Sequence, residues 1–149
     1  MINFKVTSAD SIPLSLLLIA DPSETKISEY LKGSICFGAY FKDELVSVCV
    51  TNSNGYAETE IFNIASLPNM QQKGTGSKLL QFVITEFTKR KVNKLVLGTG
   101  TFGYQLTFYQ RLGFRVESVI KDFFTENYDE PIYESGIQHK DMLRLAISL

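Results

Sequence analysis

Apolar positions recur along the chain at two spacings, and the change from one to the other outlines a fold. Ile35–Phe41 and Glu44–Thr51 are dense in β-branched and aromatic residues. The polar pair Lys42-Asp43 separates them, which predicts two strands joined by a turn. Asn52-Ser53-Asn54-Gly55 is a strong turn signal ahead of a further strand over Tyr56–Leu67, and Ile2–Thr7 predicts another at the start. Over Ser77–Lys89 the spacing becomes helical, with Leu79, Leu80, Val83, Ile84 and Phe87 on one face. Shorter helices are expected over Ile12–Ile19 and Ser23–Leu31, the second opening near Pro22-Ser23 and stopping at Gly33. Strands and helices then alternate: strand Lys94–Leu97, helix Gln105–Leu112 stopped by Gly113, strand Phe114–Val119, one helical turn within Phe123–Tyr128, and strand Met142–Leu149. Hairpins first and alternation later predict an α/β (α+β) fold: one mixed, mostly antiparallel sheet of six to seven strands with helices on both faces. No repeat or linker interrupts it, so residues 1–149 are expected to form a single domain.

With 44% hydrophobic and 21% charged residues, the chain has the composition of a soluble globular protein. A net charge of −1 gives nucleic-acid binding no electrostatic support. The charges are nevertheless segregated. Residues 71–115 hold eight basic residues and the single acid Glu86; residues 117–134 hold six acids and one Lys. That predicts a basic half for an anionic ligand and an acidic segment suited to a cation, although solvated faces produce the same pattern. Cys36 and Cys49 both lie in apolar stretches and make no disulfide framework. Ile12–Ala20 is apolar like a signal h-region, but Asp10 precedes it and Asp21-Pro22 follows, and nine residues cannot span a bilayer. A packed helix and a reducing cytoplasm are the expectation, with no membrane partner.

Gln71-Gln72-Lys73-Gly74-Thr75-Gly76 stands between a predicted strand and a predicted helix. The first N–H groups of a helix lack intrahelical partners, and the helix dipole puts partial positive charge there. A Gly-rich turn at that point can cradle a pyrophosphate, with Lys73 and Lys78 adding charge. An ordinary glycine-containing turn is the competing explanation.

The same residues resemble the Q/R-x-x-G-x-G/A signature of the GCN5-related N-acetyltransferase (GNAT) family. Tyr109-Gln110-Arg111-Leu112-Gly113-Phe114, 33 residues after Gly76, is similar to that family's Y-x-x-x-G-F segment, and Glu60-Ile61-Phe62-Asn63-Ile64-Ala65 resembles the strand leading into the signature. The tail, with Phe123-Phe124, Tyr128, Gly136-Ile137, Asp141-Met142 and Arg144-Leu145, resembles a subgroup of small bacterial members. The resemblance implies an acyltransferase that uses acetyl-CoA as cosubstrate and no metal, and transfers acetyl directly to a primary amine of a small molecule or peptide. The pyrophosphate would lie on the amides of Gln72, Lys73, Gly74, Thr75, Gly76 and Ser77, with Gln71 opening the turn, and the pantetheine arm along Ile64, Ala65 and Ser66. Many members carry Asn seven residues before the tyrosine, where this chain has Phe102; Thr101 is the residue available to replace that contact. Oligomeric state is not legible, a homodimer being one option.

Tyr109 is the family's usual acid for the leaving thiolate. It is equally placed to be a packing residue, since Gly113 as a left-handed helix stop would bring Phe114 onto it. Glu60, on the strand that leads to the cradle, is the candidate base, and a surface carboxylate is its plain alternative. Neither cysteine has a nearby histidine to activate it. His139, in the polar stretch Gly-Ile-Gln-His-Lys-Asp, is expected in a solvent-facing loop. The rival motif is Gly98-Thr99-Gly100-Thr101-Phe102-Gly103, a G-x-G-x-x-G after a strand with Glu117 nineteen residues on. It would suit a dinucleotide-binding oxidoreductase, but the following helix is short and only 46 residues remain. Gly76-Ser77-Lys78 has its Lys and hydroxyl in the wrong order for a Walker A loop. A non-catalytic acyl-CoA-binding sensor on the same fold is the third option; losing Glu60 and Tyr109 would mark it, and both are present.

Overall fold

A computed structural model describes all of residues 1–149. The chain forms two compact units, Met1–Asn93 with Leu149, and Lys94–Ser148. The class is mixed α/β, as the patterning predicts, with seven mostly antiparallel strands, a separate two-stranded hairpin and five α-helices.

In the first unit, β1 (Ile2–Thr7), β2 (Ile35–Phe41), β3 (Glu44–Ser53) and β4 (Thr59–Ser66) pair antiparallel in chain order. Lys42 and Asp43 both take positive φ, 50° and 67°, in the turn between β2 and β3, the geometry that matches strand twist in two-residue hairpins. Alternate side chains then go to opposite faces. Cys36, Val48, Val50 and Ala65 pack with Leu16 and Leu17 of α1 (Leu14–Ala20) and Ile27 of α2 (Glu24–Leu31). Phe37 points the other way, edge-on to Phe82 and Phe87 of α3 (Thr75–Lys89), with centroids 6.1 and 5.5 Å distant. Each of the buried Val, Leu, Ile and Phe side chains contributes about 1.5–3 kcal/mol. Helices therefore cover both faces of this sheet. β4 carries a bulge: Val50 pairs with Asn63 and Thr51 with Ile61, leaving Phe62 as the extra residue.

In the second unit, β9 (Met142–Ser148) lies between β5 (Lys94–Gly100) and β6 (Arg115–Ile120), antiparallel to both. α4 (Tyr104–Arg111), α5 (Phe123–Asn127) and a small hairpin of β7 (Tyr133–Glu134) and β8 (Ile137–Gln138) complete it.

Several element bounds differ from the sequence expectation for identifiable reasons. The first helix begins at Leu14 and not Ile12, because Ile12 precedes Pro13 and is held extended at φ −95°, ψ 119°. The strand expected from Tyr56 begins at Thr59, since Gly55 and Ala57 both take positive φ in the turn before it. α3 starts two residues early, so Thr75 and Gly76 belong to its first turn. β5 continues through Gly98, Thr99 and Gly100, and the β7–β8 hairpin adds a strand pair that the patterning does not predict. The Ser23 cap is as expected: its hydroxyl accepts the Lys26 amide at 3.2 Å.

Candidate active site

The cradle is built by the way β4 stops. Leu67 N–H still bonds the Val46 carbonyl at 2.9 Å, and Pro68 then opens a single 3-10 turn, Pro68–Met70. The Gln71 side-chain amide donates to the Ser66 carbonyl at 3.2 Å, tying the turn back to the strand end. Gln72 follows with φ 61° and Gly74 with φ 82°, and Gly74 is the N-cap of α3. A Cβ on Gly74 would meet nothing within 4 Å, so glycine is favoured there by its backbone conformation and not by crowding. No side chain caps α3, and its first turn contains no acid. An uncapped start to a 15-residue helix, with Lys73 and Lys78 exposed beside it, fits a doubly negative pyrophosphate. Ile64, Ala65 and Ser66, the residues proposed for pantetheine, pair on one side with Cys49, Val48 and Ser47.

The same unit holds the candidate base. Glu60 is only 9% exposed, so it is not a surface carboxylate, and its Oε1 accepts from Asn54 Nδ2 at 3.2 Å. Nearby on β4, Asn63 Nδ2 donates to the Leu17 carbonyl (3.0 Å) and to Tyr30 Oη (2.9 Å), and Tyr30 Oη donates to Asp21 Oδ2 (3.0 Å). The Tyr30 ring stacks on Phe62 at 5.2 Å, and Asn63 Oδ1 is buried with no partner. This polar chain ties Asn63 to Leu17, Asp21 and Tyr30, which lie more than thirty residues before it, and no local pattern announces it.

In the second unit Tyr109 is buried near the end of α4. Phe114 N–H bonds the Tyr109 carbonyl (3.2 Å), Gly113 N–H bonds the Gln110 carbonyl (3.1 Å), and Gly113 has φ 103°. That is a Schellman cap, and its accompanying contact is the Tyr109 ring edge-on to Phe114, with centroids 5.9 Å apart. Thr101 is exposed in the bend after β5. Phe102, where the family's asparagine is absent, stacks on His139. His139 itself is buried, correcting the expectation of a solvent-facing loop histidine.

The G-x-G-x-x-G letters also find their explanation here. Gly98 and Gly100 lie inside β5, opposite Arg144 and Met142 of β9, not in a phosphate-binding turn. A Cβ would strike Met142 at Gly98, the His139 ring at Gly100, and the Glu134 carboxylate at Gly103. All three glycines make room for the C-terminal segment, which removes the dinucleotide reading. Both cysteines are free and buried. Desolvation raises the Cys36 thiol, partly offset by its bond to Ser34, and desolvation raises Cys49 further, so neither is a ready nucleophile.

The family model described as "Acetyltransferase (GNAT) domain" matches residues 32–116, and the chain belongs to the GNAT family of acetyltransferases. An uncharacterized N-acetyltransferase of Bacillus subtilis, YvbK, is 41% identical over 135 residues, covering 90% of this chain and 87% of that one. A GNAT family acetyltransferase from Elizabethkingia anophelis, solved with acetyl-CoA bound, superposes with a TM-score of 0.93 at 39% identity over 99% of this chain and 98% of that one. An enzyme described as an IAA acetyltransferase from Bacillus cereus superposes with a TM-score of 0.92 at 37% identity, over the whole of both chains.

Proposed function

We propose that the whole chain works as one acetyl-CoA-dependent N-acetyltransferase domain that transfers acetyl directly to a primary amine of a small molecule or peptide, in the cytoplasm. The observation that carries the reading is the uncapped N-terminus of α3, entered through left-handed Gln72 and Gly74. Acetyl-CoA supplies an activated thioester when bound. The amides from Gln72 to Ser77 hold its pyrophosphate, and Ile64–Ser66 offer backbone groups that pair with the amide-like pantetheine as an added strand does. Through water, Glu60 would take the proton that the substrate ammonium must lose before the free amine can attack the thioester carbonyl. The new C–N bond would form as the C–S bond breaks; Tyr109 would donate its phenolic proton to the departing sulfur and recover one, by way of solvent, from the nitrogen that becomes the amide. The buried, unactivated cysteines support direct transfer without an acyl-enzyme, and their free state fits a reducing compartment.

Gly76→Asp tests the cradle. An acid in the first turn of a helix is favourable for the helix itself, so the fold should be retained while the carboxylate repels phosphate. Calorimetry should show acetyl-CoA affinity lower by at least about tenfold, roughly 1.4 kcal/mol. Unchanged affinity in a folded Gly76→Asp protein would remove the pyrophosphate site from this turn.

A further inference from the structure

Of the side chains that fill the three glycine positions, His139 makes a contact that packing alone does not require. It is the chain's only histidine and is 8% exposed. Its ring lies flat on Phe102, with centroids 4.2 Å apart and planes 11° apart, and is tilted against Phe124 at 5.7 Å. An apolar ring would make those contacts without burying a polar atom. The imidazole instead buries Nδ1 with no partner, a costly arrangement, and in return sets Nε2 2.8 Å from Glu134 Oε1. The other carboxylate oxygen, Oε2, accepts the Tyr104 amide at 3.3 Å, the first N–H of α4. Gly103, the N-cap of α4, offers no side chain to the amides of the first turn. Glu134 instead satisfies the first amide of the helix from a distant hairpin, with a charge that suits the helix dipole. Gly103, at φ 107°, leaves the space the carboxylate occupies, and Gly100 leaves the space for the imidazole. The His139 amide donates to the Ile132 carbonyl at 2.7 Å, fixing the base of the hairpin.

We propose that Glu134 and His139 are a positioning pair for α4. His139 orients the Glu134 carboxylate, and the carboxylate holds the first turn of the helix that carries Tyr109. The effect on turnover rests on the proposed acid role of Tyr109; the pairing itself does not.

Two variants of the full chain separate the pair's hydrogen bond from its packing. His139→Gln sets an amide donor where imidazole Nε2 lies, whereas His139→Asn sets it at the Nδ1 position, out of reach of Glu134. Amide hydrogen exchange at Tyr104 is read by NMR, and turnover by thiol release from acetyl-CoA with an amine that wild type accepts. Exchange at Tyr104 should be at least about tenfold faster in His139→Asn and near wild type in His139→Gln. Turnover should follow the same order, with the KM for acetyl-CoA unchanged in both. Glu134→Ala, at a side chain 41% exposed, should reproduce the loss of protection without opening the core. Equal Tyr104 exchange in wild type and Glu134→Ala overturns the pair, as does His139→Asn behaving like wild type. If Tyr109→Phe loses turnover while Glu134→Ala keeps it, the positioning role is overturned and the acid role stands. If Tyr109→Phe keeps full turnover while exchange responds as stated, the pair stands and the acid role falls.

Discussion

The edge-on packing of Tyr109 against Phe114 uses the ring and not the hydroxyl, so Tyr109→Phe separates the two roles assigned to this residue. If the hydroxyl protonates the thiolate, turnover should drop roughly 10- to 1,000-fold, with melting temperature and acetyl-CoA affinity close to wild type. Undiminished turnover would leave Tyr109 as a staple alone. The cysteines give a second residue-scale test. Both thiols are buried and raised in pKa, so alkylation of native protein at neutral pH should be at least about tenfold slower than of unfolded protein. Rapid modification of either would contradict that burial. Residue roles were unevenly legible in the sequence. The Schellman cap could be read from the spacing of Tyr109, Gly113 and Phe114, because every interaction in it is local. The burial of His139 could not, because its partners Phe102 and Glu134 come together only through tertiary packing.

Among elements, the clearest dependence on a single position is α4 on Gly113. Its φ of 103° is one that side-chain-bearing residues rarely adopt, and a Cβ there would stand 3.2 Å from Ile147 Cδ1. Gly113→Ala should cost about 1–2 kcal/mol, lowering the melting temperature by roughly 2–8 °C for a chain of this size. An unchanged melting curve would mean the cap contributes nothing to stability. Hairpin strands and the amphipathic α3 were legible because burial imposes a period on the sequence. Element ends were less so. Pro13 constrains its predecessor and moved the start of α1. The glycines of β5 look like a loop by composition, yet they are strand because other side chains fill the places theirs would take. The turn of the β7–β8 hairpin is Ser135-Gly136, with φ values of 53° and 77°, a two-residue signal too short to stand out from the surrounding polar stretch.

For the molecule as a whole, the family was legible in the sequence, while the identity of the acceptor depends on surfaces that no motif marks. The acidic segment offers a test of that choice. Glu117 is paired to Lys94 at 2.9 Å and Glu134 to His139, while Glu126, Asp129 and Glu130 are exposed. Neutralising these three together should raise the KM of a cationic acceptor at low salt and leave the acetyl-CoA KM unchanged. It should also flatten the salt dependence of turnover, since exposed charges act over a Debye length of about 8 Å at physiological strength. Wild-type acceptor kinetics in the triple variant would make the segment a solvated face. The central claim, acetyl transfer to an amine, is tested most directly by thiol release from acetyl-CoA with wild-type protein across a panel of small amines and peptides. Amine-dependent release, with a matching gain of one acetyl group in the amine by mass spectrometry, is the predicted result. Tight acetyl-CoA binding with no release above the amine-free rate for any acceptor would contradict it and favour an acyl-CoA sensor.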